Sequence, residues 1–468
     1  MHEPWSPPPP SPFTVPPPVI DSGRRDVFGW LLLFAFFAIL VTSALYQSFN
    51  PEKPEKTQKK VTASNPKFEG AAQQLKFAFV MGALGEESKD QRDKLLEEVV
   101  NDVIEAHTTD VTAARIYAAA RTELGKPLKN EDLAALSSSK DADLRALAEA
   151  YRPATLTPER AQELRSQIKG EDFLDEVARI HVSEKAGDQA ARKELPVGRW
   201  ALGMGIVVAA LLLFPVGLVL WGIYYKQVTS GRWRPLGYPV FYPTLLAADR
   251  DALRAVLIMV AWMLVAPLIV LPLLNLPEIL EQGLASVLVA LFIALIFRLR
   301  IGGVSTTWTQ RLGERQPIGK LVLWGVGGWI ANIPVLAVLA VLTNALSQFV
   351  PEPTHPVNSE IAANPTVPVI IGILLVAVIG APLIEETFFR GMLFPALGRV
   401  LGSPVWGILL SSFLFASIHP QGIAGWPPLM GVAAVAAGLT YQTRSIIPAM
   451  IFHGIHNASL LVVALLLR

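Results

Sequence analysis

The fold of this chain is decided by residues 367–399, whose sequence is VPVIIGILLVAVIGAPLIEETFFRGMLFPALGR. The stretch exceeds the ~20 apolar residues that cross a bilayer, so it predicts a membrane helix. Gly380-Ala381-Pro382 predicts a kink, because proline lacks a backbone donor and clashes with the preceding turn. Glu385, Glu386 and Arg390 follow the kink, and ionisable side chains at bilayer depth indicate a functional site.

Apolar stretches of similar length occur along most of the chain outside residues 48–198. Hydrophobic residues make up 52% of the chain and charged residues 17%, and the charged residues concentrate in that polar segment. The pattern predicts an all-α fold, a polytopic membrane helical bundle with an inserted extracytoplasmic helical domain. We expect about nine spans. They are 28–47, 200–224, 253–274, 283–298, 319–344, 367–399, 404–421, 428–442 and 446–467.

These spans divide the chain into five predicted regions. The first contains two proline runs, which are typical of a disordered polyproline arm. The regions are a Pro-rich disordered cytoplasmic tail (1–27), a transmembrane anchor (28–47), a soluble helical domain (48–198), membrane helices outside the motif region (199–318) and a core that carries the motifs (319–468).

Lys and Arg residues set the predicted orientation, since short cytoplasmic loops carry an excess of both. The loops 226–254 and 298–320 are rich in Lys and Arg, whereas the intervening loops, such as 346–366, have none. This pattern places the N-terminus in the cytoplasm and residues 48–198 outside, and only the four lysines between 53 and 60 oppose it. We expect an integral protein of a bacterial plasma membrane, with the lipid bilayer as a partner.

Net charge and cysteine content exclude several classes of function. The net charge is +1 and there is no dense basic tract, so we expect no nucleic-acid partner. The chain has no cysteine, which excludes disulfides, thiolate zinc sites and a Cys nucleophile.

The polar domain is predicted to be helical. Residues 90–106 and 112–122 space their apolar positions by three and four, which is typical of amphipathic helices. We favour a plain helical bundle. The alternative is a helical-hairpin repeat, through which residues 48–198 would bind a peptide or protein partner.

The paired carboxylates are the first candidate site residues. In a helix, Glu386 and Arg390 are four residues apart, so they share a face and form an ion pair. Glu385 is rotated by about 100° from Glu386 and need not share that cation. A structural salt bridge would explain one carboxylate, but the second has no local cation, which favours catalysis.

Phe415 and His419 share a helical face in the next span. The midpoint of residues 385 and 419 lies in the turn 401–404. A helical hairpin that closes there places Glu385 and His419 at the same depth, roughly 25 Å along each helix. The carboxylate and the imidazole are therefore predicted to face each other.

The last span carries His453 and Asn457 on one face, with His456 slightly offset. Counted from Arg444, these side chains lie within about two turns of the depth of Glu385. A polar network that joins the helices of the bundle is the alternative. Three separate helices with polar residues at similar depth favour one shared site.

These motifs together resemble those of the CPBP family. Glu385 to Arg390 is similar to its EExxxR motif, Phe415 to His419 to its FxxxH motif, and His453 to Asn457 to its HxxxN motif. The family includes the type II CAAX prenyl endopeptidases and the bacterial Abi proteins linked to bacteriocin self-immunity. The resemblance covers roughly residues 320–468.

The resemblance implies an intramembrane endopeptidase. It implies that Glu385 and His419 activate the water that attacks a peptide carbonyl. It implies that His453 and Asn457 stabilise the resulting oxyanion. The supporting residues are Glu386, Arg390, Phe415 and His456.

A metal ion remains an alternative for this site. The family is commonly labelled as metalloendopeptidases, and Glu385, His419 and His453 can form a three-ligand zinc site with an open position for water. The chain has no HExxH motif. We prefer a metal-free mechanism, because it gives every one of these residues a role.

Two other classes of function stay open. One is a proton- or ion-coupled transporter, against which the absence of a visible inverted repeat counts. The other is a non-catalytic membrane adaptor that acts through residues 48–198. For the enzyme we expect a membrane-associated peptide or protein substrate, and nothing in the sequence shows whether that substrate is prenylated.

Overall fold

The computed structural model describes residues 27–49, 68–83, 85–152, 155–170, 172–233, 249–250, 252–254, 257, 288, 291, 295, 316–350 and 366–467. Within these ranges every regular element is a helix, which confirms the predicted all-α fold. The predicted tail 1–27 and the predicted spans 253–274 and 283–298 lie almost entirely outside the described residues.

The α-helical elements run in the following order. They are α1 (Phe28–Phe49), α2 (Glu69–Ala83), α3 (Lys89–Val103), α4 (Val111–Glu123), α5 (Ala134–Ser137), α6 (Ala142–Tyr151), α7 (Pro158–Gln167), α8 (Phe173–Lys185), α9 (Val197–Leu212), α10 (Phe214–Thr229), α11 (Ile318–Leu346), α12 (Val367–Val400), α13 (Pro404–Ser417), α14 (Trp426–Thr443) and α15 (Ile447–Leu467).

Six segments of the described chain are long and apolar enough to cross a membrane. Their mean hydropathy lies between 1.4 and 2.8. They confirm that the predicted bundle is built from membrane helices. The segments are Phe28–Tyr46, Val197–Thr229, Ile318–Leu346, Val367–Val400, Ile423–Thr443 and Ile447–Leu467.

The predicted span 404–421 is too long. Helix α13 has only 14 residues, Pro404–Ser417. At 1.5 Å per residue such a helix measures about 21 Å, less than the ~30 Å hydrocarbon core of a bilayer. Pro420 explains the early end, because a proline disfavours helical backbone at the residue before it and supplies no N–H.

The chain divides into two compact units. The described residues within Lys53–Ala209 and Leu461–Arg468 form one, called here the soluble unit after the prediction for its main part. The described residues within Met1–Glu52, Ala210–Val357 and Pro365–Leu460 form the other, called here the membrane unit.

Side-chain caps begin several helices of the soluble unit. Asp110 accepts a hydrogen bond from the Ala113 backbone N–H at the start of α4, and Asp172 accepts one from Asp175 at the start of α8. Such caps satisfy amide groups that have no partner inside the helix. The predicted helical segments 90–106 and 112–122 correspond to α3 and α4.

Helix α12 contains a π-helical turn, Leu375–Gly380, where the sequence predicted a kink. In a π turn the carbonyl of one residue accepts from the N–H five residues later. The Ala381 N–H does so with the Val376 carbonyl. The next carbonyl, that of Ala377, would need the N–H of Pro382, which proline lacks. This carbonyl is therefore left for a partner from another helix.

A tight hairpin joins α12 to α13. Gly402 adopts a left-handed φ of 67°, and Ser403 caps α13 by accepting from the Trp406 N–H. The two helices approach closely, because a Cβ on Gly407 would lie 2.8 Å from the Gly398 Cα. This close hairpin sets the height of His419 relative to Glu385.

Candidate active site

Glu385 and His419 face each other across the hairpin. The Glu385 Oε2 lies 3.8 Å from the His419 Nε2, which is too far for a direct hydrogen bond. The His419 Nδ1 lies 2.7 Å from the Phe415 carbonyl oxygen. A carbonyl can only accept, so in the neutral ring Nδ1 carries the proton and Nε2 presents a lone pair.

The gap between the two side chains has an acceptor on each side. Glu385 is buried, and its Oε2 has no hydrogen-bond partner among the described residues. Two polar atoms that lie more than ~3.5 Å apart can be bridged by a water molecule. A water there would donate one hydrogen to Glu385 and the other to His419.

Glu386 connects the EExxxR motif to the last helix. Its side chain is fully buried, and its Oε1 accepts from Arg390 Nη1 at 3.1 Å and from His453 Nδ1 at 2.8 Å. The first contact is the ion pair that the sequence predicted. The second contact fixes the tautomer of His453, because Nδ1 must carry a proton to donate to Glu386. The Nε2 of His453 is then the nitrogen that is available to another partner.

Phe415 forms the centre of the site. The Arg390 Cζ lies 4.6 Å from the centroid of the Phe415 ring, within the range of a cation–π contact. The rings of His419 and His453 lie 4.5 Å and 6.0 Å from the same ring. Arg390 also donates through Nη2 to the Ala433 carbonyl on α14, at 3.0 Å. Phe415 thus fixes the positions of both imidazoles and of the guanidinium.

Asn457 binds the π turn of α12. Its Nδ2 donates to the Ala377 carbonyl at 2.7 Å, which is the carbonyl that Pro382 leaves without an intrahelical partner. One turn earlier, a Cβ on Gly454 would lie 3.0 Å from the Val378 carbonyl oxygen. Helix α15 therefore packs directly on the π turn, and one amide hydrogen of Asn457 remains for another acceptor.

His456 lies apart from these contacts. Its ring stacks at 6.4 Å on Phe452, which packs with Trp324 and Trp329 of α11. The remaining predicted residues form one continuous set. They are Glu385, Glu386, Arg390, Phe415, His419 and His453, with Asn457 one helical turn beyond His453.

The predicted zinc ligands do not form a ready donor set. Among the residues that the structure describes, no three His, Asp or Glu side chains are arranged to hold a metal ion. The third candidate, His453, directs its Nδ1 to Glu386, which is itself paired with Arg390.

Sequence reasoning missed three contacts of this site. The partners of the Arg390–Ala433, His453–Glu386 and Asn457–Ala377 bonds are 43, 67 and 80 residues apart. One signal was available, because Pro382 implies a carbonyl without its helical donor. Nothing in the sequence identified Asn457 as its partner.

The region that carries the site matches a known family. Residues 367–459 match the protein-family model described as type II CAAX prenyl endopeptidase Rce1-like. This match confirms the predicted resemblance for the stretch that contains all three motifs. No curated protein and no solved structure matched the chain. An Rce1-like domain thus carries the site within an integral membrane protein.

Proposed function

We propose that this chain is an intramembrane endopeptidase, which hydrolyses a peptide bond of a membrane-associated substrate with water activated by Glu385 and His419. The observation that carries the proposal is the 3.8 Å gap between Glu385 Oε2 and His419 Nε2. A water in that gap would be held by two acceptors and would direct its oxygen lone pairs away from both.

The proposed reaction begins when Glu385 removes a proton from this water. The hydroxide attacks the peptide carbonyl carbon, and the carbonyl oxygen becomes an oxyanion. Glu385 then transfers the proton to the leaving amine nitrogen as the carbon–nitrogen bond breaks. His419 positions the water throughout, because its Nδ1 is held by the Phe415 carbonyl.

We assign the stabilisation of the oxyanion to two side chains. The second amide hydrogen of Asn457 is free of the Ala377 carbonyl and can be donated. Because the His453 Nδ1 is held by Glu386, this ring can donate to an oxyanion only through a protonated Nε2. Donors aimed at a developing charge are among the largest contributions to catalysis.

Replacing Glu385 with Gln tests the proposal, because the amide keeps the shape but cannot accept the proton. We expect proteolysis to fall by about 10²- to 10⁴-fold while the amount of folded protein in the membrane is unchanged. The measurement compares membrane-derived peptides from cells that produce the intact chain or the variant. Turnover within about tenfold of the intact chain would exclude Glu385 as the base.

A matched control removes a carboxylate outside the site. Glu97 is exposed in the soluble unit and pairs with Lys126. Glu97→Gln should leave the peptide products unchanged. The peptides that disappear only in Glu385→Gln identify the substrate and show whether it is prenylated.

A further inference from the structure

Three helix ends of the membrane unit meet in a cluster of aromatic side chains. They are the C-terminal end of α10, the N-terminal end of α11 and the C-terminal end of α14. The Gln442 Nε2 donates to the Tyr224 hydroxyl at 3.1 Å, and the rings of Trp233 and Trp324 lie 4.7 Å apart. These contacts bring residues from three distant parts of the chain to one end of the bundle.

The same helix ends carry four basic residues. Lys226 lies in the last turn of α10 and Arg232 follows that helix, Lys320 lies in the first turn of α11, and Arg444 follows α14. Lys226, Arg232 and Lys320 are exposed, and Arg444 is half-buried. Segments 221–233, 316–324 and 439–447 contain no Asp or Glu. The three segments thus carry four basic residues and no acidic residue of their own.

Arg444 has an unusual backbone conformation. Its φ is 51°, and among the described residues it is the one non-glycine residue with a positive φ. A left-handed conformation is unfavourable for a side chain of this size, and Gly or Asn would adopt it more readily. Arg444 is the left-handed C-terminal cap of α14, an ending that many helices adopt. The cap fixes the position of this residue at the end of the helix.

The aromatic residues indicate where this end lies relative to a bilayer. Trp and Tyr side chains concentrate at the level of the lipid headgroups, because their rings are apolar and their N–H or O–H groups are polar. Tyr225, adjacent to Tyr224, is 70% exposed, and Trp221 is 39% exposed. The four basic residues thus occur at the level where phosphate groups are found.

We propose that Lys226, Arg232, Lys320 and Arg444 form a binding surface for the phosphate headgroup of an anionic phospholipid. The occupant is a bilayer lipid, because the basic residues are contiguous with the aromatic cluster and with apolar helix surface. The guanidinium groups of Arg232 and Arg444 match the geometry of phosphate oxygens, and the two lysines add positive charge. The surface is separate from the proposed catalytic residues and does not depend on hydrolysis.

The test measures lipid binding by the detergent-purified full chain. Phosphatidylglycerol or phosphatidylcholine is titrated, and bound lipid is counted by native mass spectrometry. The test variant carries Lys226→Gln, Arg232→Gln, Lys320→Gln and Arg444→Asn, since Asn tolerates the left-handed backbone. We expect each removed charge to weaken phosphatidylglycerol binding by about fivefold and to leave phosphatidylcholine binding unchanged.

A charge-matched control separates a specific surface from general attraction. It replaces four exposed lysines of the soluble unit with Gln and should bind phosphatidylglycerol as the intact chain does. The proposal is overturned when the test variant keeps its affinity within about threefold, or when the control loses as much. If the fourfold variant does not fold, Lys320→Gln alone replaces it, with an expected loss of about fivefold. The control lysines are Lys129, Lys140, Lys169 and Lys193.

Discussion

Glu386 accepts hydrogen bonds from Arg390 and His453 at a position with no solvent exposure. A buried carboxylate in an apolar bundle is tolerated only when it is paired, because desolvation of its charge is costly. The contacts of Glu386 with its two partners have different effects. Arg390 neutralises the charge, while His453 is held in one tautomer. Glu386 is therefore both a structural residue and a residue that positions an imidazole.

Loss of Arg390 should destabilise the protein more than joint replacement of both partners. Arg390→Ala leaves the buried carboxylate of Glu386 with His453 but without its arginine counterion, which costs about 3–5 kcal/mol of unfolding free energy. The double variant Glu386→Gln, Arg390→Gln removes both charges and should melt at a higher temperature than Arg390→Ala. Thermal melting of the purified full chain provides the measurement. Strictly additive effects in the double-mutant cycle would show that the two residues do not interact.

At the scale of elements, the hairpin of α12 and α13 depends on glycine at two facing positions. A Cβ on Gly407 would meet the Cα and the N of Gly398, each at 2.8 Å. These are backbone atoms, so no side-chain rotation can relieve the contact. The separation of the two helices is set by this close approach, and the 3.8 Å gap between Glu385 and His419 follows from it.

Gly407→Ala should therefore destabilise the membrane unit by about 1–3 kcal/mol, the usual cost of overpacking. It should also lower proteolysis more than its effect on stability explains, because the hairpin separates and moves His419. Gly438→Ala on α14 is the matched control, since a Cβ there meets nothing within 4 Å. Equal melting temperatures for Gly407→Ala and Gly438→Ala would contradict this view of the hairpin.

Helix α8 of the soluble unit contains a second buried charge cluster. Arg115 Nη2 donates to Asp172 Oδ1 at 2.5 Å and to Asp175 Oδ1 at 2.6 Å. Burial raises the pKa of Asp175 to about 7, an effect that the nearby charge of Asp172 increases and that of Arg115 opposes. Arg115 lowers the pKa of Asp172, although burial acts in the opposite direction.

The raised pKa of Asp175 predicts how local stability depends on pH. The folded state keeps a proton on Asp175 between about pH 4 and 7, whereas the unfolded state loses it near pH 4. The contribution of Asp175 to stability is thus largest at low pH and decreases as the pH rises through this window. Hydrogen–deuterium exchange of α8, corrected for intrinsic rates, should show protection decreasing between pH 5 and 8.

Asp175→Asn mimics the protonated side chain and should remove this dependence. The variant should protect α8 more strongly than the intact chain at pH 8. Asp93→Asn, at a half-buried position on α3 outside this cluster, serves as the control and should keep the pH profile of the intact chain. A pH-dependent decrease in protection that persists in Asp175→Asn would assign the effect to other groups.

At the scale of the whole molecule, the metal-free and zinc mechanisms predict different compositions of the active protein. In the metal-free mechanism, a strong chelator leaves proteolysis unchanged, and purified active protein contains no stoichiometric zinc. We expect this outcome, because His453 is held by Glu386 and the three candidate ligands do not converge. Elemental analysis and activity after chelation provide the measurements. Roughly one zinc per chain that disappears in His419→Ala would establish a metal site instead.

The sequence by itself predicted an all-α membrane protein and the candidate residues of its site. Hydropathy gave the membrane helices, because each crossing needs about 20 apolar residues whatever its neighbours are. The spacing of Glu386 and Arg390 predicted their ion pair, and the turn at 401–404 predicted that Glu385 faces His419. These features are local, or follow from counting residues along two helices joined by a short turn.

Only the tertiary structure decided how the last helix enters the site. The sequence predicted that His453 and Asn457 lie near the depth of Glu385, but it did not identify Glu386 and Ala377 as their partners. The reason is geometric. Each residue turns a helix by about 100°, so the face that a side chain presents to a distant helix depends on rotation and tilt. Packing between helices, such as that of Gly454 on the π turn, sets both, and no local pattern encodes it.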